Sequence, residues 1–567
     1  MKTESYQTEL QALKENAREF SKKYPALAPH LAGSSNDPDV ERILQGTAFL
    51  SAGIQERLDT DFPEFAQSIL RLVAPDYLKE IPATTIIEFK PRNILNNAVT
   101  IKKQSKVDSQ KVQGVSCRFQ TSTDVVVHPL TINACELTQT GNYSELDIII
   151  NNTSLSNTEV FIDELPLHIA GDYVNASQLY YLLTSKLESV SIVHGNNITP
   201  LEHAKLSPMG WNKDFDLLEN SKTSLNGYRR LQEYFINKYK FLFINITGFN
   251  NTMALPKAFK LRFKLTENSE NTQVNINSFK LFCTPAINLF DTTAEPIALD
   301  HKNSDLTLRP IRNVNNQHTI YSVLDVQGQN RRSTQKTKYI DFSLNAKQQS
   351  QLPVYELIQK SSNGNESSNV LRVSYPQGLE LPMREVLTAN IRCSNGSLTQ
   401  QLKIGDINVN TPDVADLVSF KNISAVSEYI PSQTDGRILW NLLAHLTVNY
   451  LPITNLANLR VLLNLYNPTN HADAKEQAAN KKRIDSLKSI AVNNTERLLK
   501  GYLIRGQKIE LVADSAGFAS NGDLYLFGEL ISKVFAQFCD INSFVELIII
   551  NENTGEQLTW QPNLASH

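Results

Sequence analysis

The side chains best suited to chemistry in this chain are five cysteines, ten histidines and a few acidic and aromatic groups. Catalysis needs reactive groups held within hydrogen-bond reach, which a sequence reveals only where spacing is diagnostic. Gly114-Val115-Ser116-Cys117-Arg118 comes nearest to a nucleophile elbow, but arginine stands where the second glycine must be, so Cys117 reads as a buried strand residue. No P-loop, His-Glu-x-x-His helix or Gly-x-Gly-x-x-Gly turn occurs. His445 sits on the apolar Leu442–Leu446 helix face and reads as a hydrogen-bonded packing residue rather than a base or ligand. Asp59, Asp61 and Glu64 cluster at a helix junction where a metal site is conceivable. Capping by Asp61 and the macrodipole's preference for Glu64 in a first turn account for them without one. Trp211, Trp440 and Trp560 are isolated and form no stacking platform, and Lys481-Lys482-Arg483 reads as a solvated helix face. The expectation is a protein without catalytic, cofactor-binding or metal-ligating residues.

The bulk numbers agree with a large scaffold. A chain of 567 residues exceeds what one core serves, and 41% hydrophobic with 20% charged residues is ordinary for a folded protein. A net charge of −3 supplies no basic footprint, so nucleic acid is not an expected partner. Cys117, Cys135, Cys283, Cys393 and Cys539 are far apart and odd in number, which suits reduced thiols in a cytosol better than a disulfide framework or a zinc cluster. The charged N-terminal sequence lacks the apolar core of a secretory signal, and no apolar run reaches the ~18–20 residues of a membrane span. A cytoplasmic location is expected.

These residues must be carried by elements whose pattern changes along the chain. Tyr6, Leu10, Leu13, Ala17, Phe20 and Tyr24 recur at steps of four and three, the stripe of a helix that meets other helices, and Pro25 ends it. The same 3.5-residue period serves a coiled coil, so the stripe fits a partner chain as well as an intramolecular bundle. Asp37-Pro38 opens a second helix, with Val40, Leu44, Ala48 (or Thr47), Ile54 and Leu58 sharing its inner face, and Asp61-Phe62-Pro63-Glu64 opens a third. After Ile81-Pro82 short β-branched strands dominate, interrupted by helices through Leu179–Leu187 and from Gly227. The polar Ser361–Asn369 stretch reads as a mobile loop, helical pattern returns from Gly436, and the end alternates strand, helix and strand. This is a multi-domain α+β chain. Its expected division is 1–80 N-terminal helices, 81–310 mixed and β-rich, 311–430 a second β-rich domain, and 431–567 an α/β region.

Several ordered stretches carry a resemblance. Ala17-Arg18-Glu19-Phe20 with Tyr24-Pro25 is followed by Asp37-Pro38-Asp39-Val40-Glu41-Arg42-Ile43-Leu44, Phe62-Pro63-Glu64 and Ile81-Pro82. Further on come Cys117-Arg118-Phe119-Gln120-Thr121, Gly227-Tyr228-Arg229-Arg230-Leu231-Gln232-Glu233-Tyr234-Phe235, Cys283-Thr284-Pro285-Ala286-Ile287-Asn288-Leu289-Phe290 and Ile541-Asn542-Ser543-Phe544. Together they resemble the TssF family, also called VasA or ImpG, of bacterial type VI secretion systems. The resemblance is weakest from about Gly328 to Asn369 and after Tyr466.

That resemblance implies a non-enzymatic wedge subunit of a cytoplasmic baseplate docked at the inner membrane. Its implied partners are TssG, a second TssF copy, TssK and TssE, with spike and tube proteins nearby. It assigns the Tyr6, Leu10, Leu13, Ala17 and Phe20 stripe to a helical bundle shared between subunits. The signature stretches around Tyr228–Phe235 and Cys283–Phe290 are expected in domain cores or junctions. Competing readings are a wedge protein of a phage tail or other contractile injector, a hydrolase hidden in the β-rich centre, and a carbohydrate- or peptide-binding sandwich.

Overall fold

The computed structural model describes residues 3–23, 38–39, 41–53, 69–70, 76–141, 143–154, 160–201, 204–218, 226–249, 254–267, 272–311, 317–330, 336–342, 352–361, 367–376, 385–432, 454–467, 474–499, 502–539 and 542–564. Two compact units share the chain: 1–78 with 433–445, and 79–432 with 446–567. The smaller unit is helical over 3–23, 38–39, 41–53 and 69–70, with a turn at 76–78. Helix α1 spans Thr3–Lys23 and closes with Lys22 and Lys23, whose charge complements the C-terminal end of the helix dipole. A second helix, α2, runs over 41–53, and Lys14 meets Glu41 at 3.1 Å between the two. Ala48 and Ala52 are its buried positions, with Leu44 half-buried. Val40, Ile54, Leu58 and the third predicted helix up to Glu64 lie outside the described residues.

The larger unit is built mainly from antiparallel sheets. One has the order Val418–Asn422, Thr84–Pro91, Cys283–Ile287, Val115–Thr121, Lys106–Val112. Its last two strands join at Gln113 and Gly114, both at positive φ, the geometry that a two-residue hairpin turn requires. This is the stretch that approximates a nucleophile elbow, and Cys117 faces the core there as a strand residue. A second sheet orders Asn197–Pro200, Leu187–His194, Ala258–Leu265, Tyr143–Asn152 and Leu130–Thr140. Ala258–Leu265 shows how sequence sets its face: Phe259, Leu261, Phe263 and Leu265 alternate inward, the lysines and Arg262 outward. A third sheet pairs Lys205–Pro208, Phe243–Thr247, Glu164–Ile169 and Phe279–Leu281. The largest runs from Phe290–Thr293 through Glu385–Ser394, Thr319–Asn330, Lys336–Asp341, Val354–Ser361 and Ser367–Ser374 to Leu306–Thr307. It encloses its own core of Leu299, Ile320, Val326, Tyr339, Leu371 and Ile391.

A further sheet orders Leu487–Leu499, Tyr502–Ala513, Phe544–Asn551 and Gln557–Thr559, and five helices lie between it and the centre or against it. Gly171, at φ +97°, turns the chain so that Asp172 accepts from Val174 N–H at 3.1 Å and starts α3, Tyr173–Ser185. Helix α4 spans Asn226–Ile236; α5, Leu456–Tyr466, and α6, Ala474–Asp485, follow late in the chain. Helix α7, Asn521–Phe535, is the crossover between the parallel strands Tyr502–Ala513 and Phe544–Asn551. Phe544–Asn551 reads as a nearly unbroken apolar run and is buried along almost its whole length, with α7 packed against it. Helix α7 passes so close to α3 that a Cβ at Gly522 would sit 2.1 Å from the Ser177 carbonyl oxygen, so only glycine fits.

Three expectations are corrected by this architecture. The helix through Leu179 stops at Ser185, and Leu187 already belongs to the next strand. The flanks of the polar 361–369 stretch are strands that pair up to Ser361 with Ser367, so the mobile-loop reading fails at those positions; 362–366 lie outside the described residues. Lys481-Lys482-Arg483 is not one solvated face: Lys481 and Lys482 are exposed, but Arg483 is buried. A helix turns 100° per residue, so three consecutive cations cannot share one environment.

Candidate interaction surfaces and the polar joints behind them

A minority of the larger unit's charged residues are buried, and several of these form joints between elements. On α4, Glu233 accepts the backbone N–H groups of Leu217 and Leu218 at 2.8 and 2.9 Å and pairs with the fully buried Lys240. Arg229 pairs with Asp216 beside them. Burial, with Glu233 close by, pushes the Asp216 carboxyl up to about 6, and Arg229 and Lys240 oppose that rise. Arg483 of α6 meets Asp523 of α7 at 2.8 Å, and Asp523 also accepts from the Tyr173 hydroxyl of α3 at 2.7 Å and from Ala519 N–H at 3.0 Å. One buried carboxylate therefore pins three helices. Asp523 is a buried charge with three donors, the condition under which such a group is tolerated.

The sheets are joined in the same way. Glu80 accepts from Ser394 at 2.8 Å, Thr319 at 3.1 Å and Tyr429 at 2.7 Å, while burial raises its pKa. Asn288 donates to the Arg118 carbonyl at 2.8 Å and to Asn395 Oδ1 at 2.9 Å, and takes the Asn395 N–H at 2.7 Å in return. These bonds connect the strand Val115–Thr121 of one sheet with the end of Glu385–Ser394 in another. The sequence stretches singled out around Tyr228–Phe235 and Cys283–Phe290 are such core and junction segments: Leu231, Tyr234, Phe235, Thr284 and Asn288 are all buried. Some of these partners are local, as Lys240 is to Glu233, and others come from far along the chain, as Tyr429 does to Glu80.

Nothing in these joints is arranged for turnover. Among the described residues, no group of three or more His, Cys, Asp or Glu side chains could hold a metal ion. Cys117 is pushed up to about 11 by burial, which suppresses the thiolate a nucleophile needs. His168 is buried against Phe243, ring centroids 4.4 Å apart, and burial lowers it to about 3, leaving a neutral packing imidazole. Trp211 lies against Phe241 and Trp560 stacks on Tyr525, both buried, so neither offers a platform. His445, Trp440, Asp59, Asp61 and Glu64 lie outside the described residues.

Apolar side chains left open to solvent mark the other kind of site. In the helical unit, Tyr6, Leu10, Leu13 and Ala17 of the α1 stripe are half-buried and Phe20 is 47% exposed. On α2, Ile43 and Leu50 are each 68% exposed, and Phe49 is exposed as well. A helix of a self-sufficient bundle hides its large apolar residues; this one leaves several outside. In the larger unit the hairpin Leu487–Leu499 with Tyr502–Ala513 continues past Gly506, where its pairing with Phe544–Asn551 ends. Beyond that point Leu498 and Leu503 face each other across the strands, 72% and 67% exposed. Sequence reading missed this hairpin, although the apolar runs flanking Lys500-Gly501 are the available signal.

Comparison with known proteins shows what kind of molecule has these features. Over residues 2–567 the sequence matches the family described as Type VI secretion system, TssF. The chain belongs to that family. Type VI secretion system component TssF1 of Pseudomonas aeruginosa is 25% identical over 641 residues, covering 98% of this chain and 98% of that protein. Among solved structures, a chain of the TssK-TssF-TssG baseplate subcomplex determined by cryo-electron microscopy superposes with a TM-score of 0.80 at 26% identity, over 93% of this chain and 99% of that one. A chain of the type VI secretion system baseplate complex shares the fold, with a TM-score of 0.65 at 21% identity over 99% of each. The similarity to the TssF family extends over the joints as well as the open helices. No helix among the described residues is long and apolar enough to cross a membrane.

Proposed function

We propose that this chain is a structural wedge subunit of a type VI secretion baseplate, working by contact and geometry and not by catalysis. The full-length similarity to a chain of the TssK-TssF-TssG baseplate subcomplex carries the reading, since it covers 99% of that chain at a TM-score of 0.80. TssG and TssK are accordingly its first partners. A second TssF copy, TssE, and contact with spike and tube proteins complete the proposed wedge, with the assembly docked at the cytoplasmic face of the inner membrane. The N-terminal segment 1–80 is its assembly module, distinct from the β-rich 81–310 and 311–430 regions and the α/β region 431–567.

Within that module the stripe Tyr6, Leu10, Leu13, Ala17 and Phe20 meets helices of other subunits. Covering a leucine or phenylalanine fully contributes about 1.5–3 kcal/mol, and the uncovered part of each side chain here sets how much remains for a partner. Phe20, the most exposed residue of the stripe, is the position at which to test this. Phe20→Asp should leave the circular-dichroism melt unchanged and weaken co-purification with TssG at least tenfold. Full retention of TssG by a folded Phe20→Asp chain removes the stripe from the interface.

A further inference from the structure

One cavity of about 360 Å³ opens in the larger unit, between the end of the strand Lys205–Pro208, helices α4 and α7, and the strand Asn563–Leu564. Its wall carries three cations, Lys213, Arg230 and Lys533, together with Trp211 and one carboxylate, Glu529. Carboxylates stand near two of the cations, Asp216 and Glu233 near Arg230 and Glu529 near Lys533, but without ion-pair contact among the described residues. Arg230 uses Nη2 on the Trp211 carbonyl at 3.1 Å, and its buried Nε has no hydrogen-bond partner. Lys533 donates to a neutral acceptor, Asn563 Oδ1, at 2.9 Å. Among the described residues neither forms an ion pair. Arg230 and Lys533 are half-buried, whereas the buried cations among the described residues are paired: Arg229 with Asp216, Lys240 with Glu233, Lys238 with Glu476, Arg483 with Asp523.

Glu529 does not remove the imbalance. Its Oε2 is held by the Tyr180 hydroxyl at 2.7 Å, and Trp211 Nε1 donates to that hydroxyl at 3.4 Å, so the carboxyl belongs to a hydrogen-bonded chain in the wall. Burial favours its neutral form. Burial lowers the pKa of the Lys533 ammonium, Glu529 opposes that fall, and the Arg230 charge adds to it. An anion in the cavity would gain charge-assisted hydrogen bonds from the guanidinium and ammonium groups that line it.

We propose that this cavity is an oxyanion site that takes a carboxylate or phosphate group, bound by Arg230 and Lys533 with Lys213 at the mouth. The volume lies at the low end of small-ligand pockets. It admits a small polyanion or an acidic side chain presented by a docked chain, and the chemistry recognised is the same for both. The site does not depend on the assembly role.

The full-length chain would be titrated at low ionic strength with inorganic phosphate, citrate and a hexaglutamate peptide, following tryptophan emission against Trp211→Phe as the reference for signal origin. Saturable binding that weakens about tenfold or more in Lys533→Gln, and likewise in Arg230→Gln, is expected. Lys533→Gln keeps the test valid should Arg230→Gln fail to fold. Binding of phosphate or citrate supports a free small anion as the source; binding confined to the peptide supports a docked acidic segment. Absence of saturable binding by all three probes, or binding unchanged in Lys533→Gln, overturns the proposal.

Discussion

Replacing Arg483 with methionine removes one charge from the joint of α3, α6 and α7 while keeping most of the apolar stem. The structure sets the size of the effect. Arg483 and Asp523 are both almost fully buried and 2.8 Å apart, and breaking such a pair from one side costs about 3–5 kcal/mol because a buried charge is left behind. Asp523 keeps the Tyr173 hydroxyl and the Ala519 N–H, which places the cost near the lower figure, about 3 kcal/mol. At about 1.4 kcal/mol per factor of ten, amides of α6 and α7 should open and exchange roughly 100-fold faster. Hydrogen exchange read by mass spectrometry on the full chain would measure this, with Lys482→Met, an exposed neighbour, as the reference within about 0.5 kcal/mol. Adding Asp523→Leu to Arg483→Met should recover part of the loss, since the stranded carboxylate goes while the Tyr173 hydroxyl and Ala519 N–H lose their acceptor. Equal protection in Arg483→Met and Lys482→Met would refute the reasoning, as would a double variant no better than the single one.

Other perturbations follow from the same geometry. Gly522→Ala should destabilise by at least about 1–3 kcal/mol in urea unfolding, because the added Cβ meets backbone of α3 that cannot yield; Gly46→Ala, in open space on α2, should be neutral or stabilising by up to about 1 kcal/mol. His168 has a folded pKa pushed down to about 3 by burial, so the unfolded chain binds its proton first as the pH falls. Its contribution is present above the unfolded value near 6.5 and is lost progressively towards pH 3, and His168→Gln should flatten that part of the stability–pH curve. Asp216 acts in the opposite sense: its raised pKa gives a contribution present below the unfolded value of about 3.8 and lost as the pH climbs through about 6, a slope that Asp216→Asn should abolish. Leu498→Asp with Leu503→Asp should change stability by no more than about 0.5 kcal/mol, since both side chains are open to solvent, and a larger loss in a thermal melt would show that the hairpin end is packed.

Sequence by itself determined the fold class, the absence of diagnostic catalytic spacings and the family, because these rest on local signals. Period-two alternation in Ala258–Leu265, the cap Asp172 after Gly171, and the apolar run Phe544–Asn551 each define an element over a few residues. The α1 stripe was legible for the same reason. Whether a residue on such an element is covered depends on what comes back to it from far along the chain, and that only the tertiary structure decided. Arg483 and Lys482 are adjacent in sequence and identical in charge; one is buried because Asp523 and Tyr173 converge on it, and the other is solvated. Glu80, Asn288 and Arg230 likewise acquire their roles from residues at long sequence separation. Electrostatic pairing and burial are properties of converging surfaces, and periodicity along one strand or helix carries no record of its eventual neighbour.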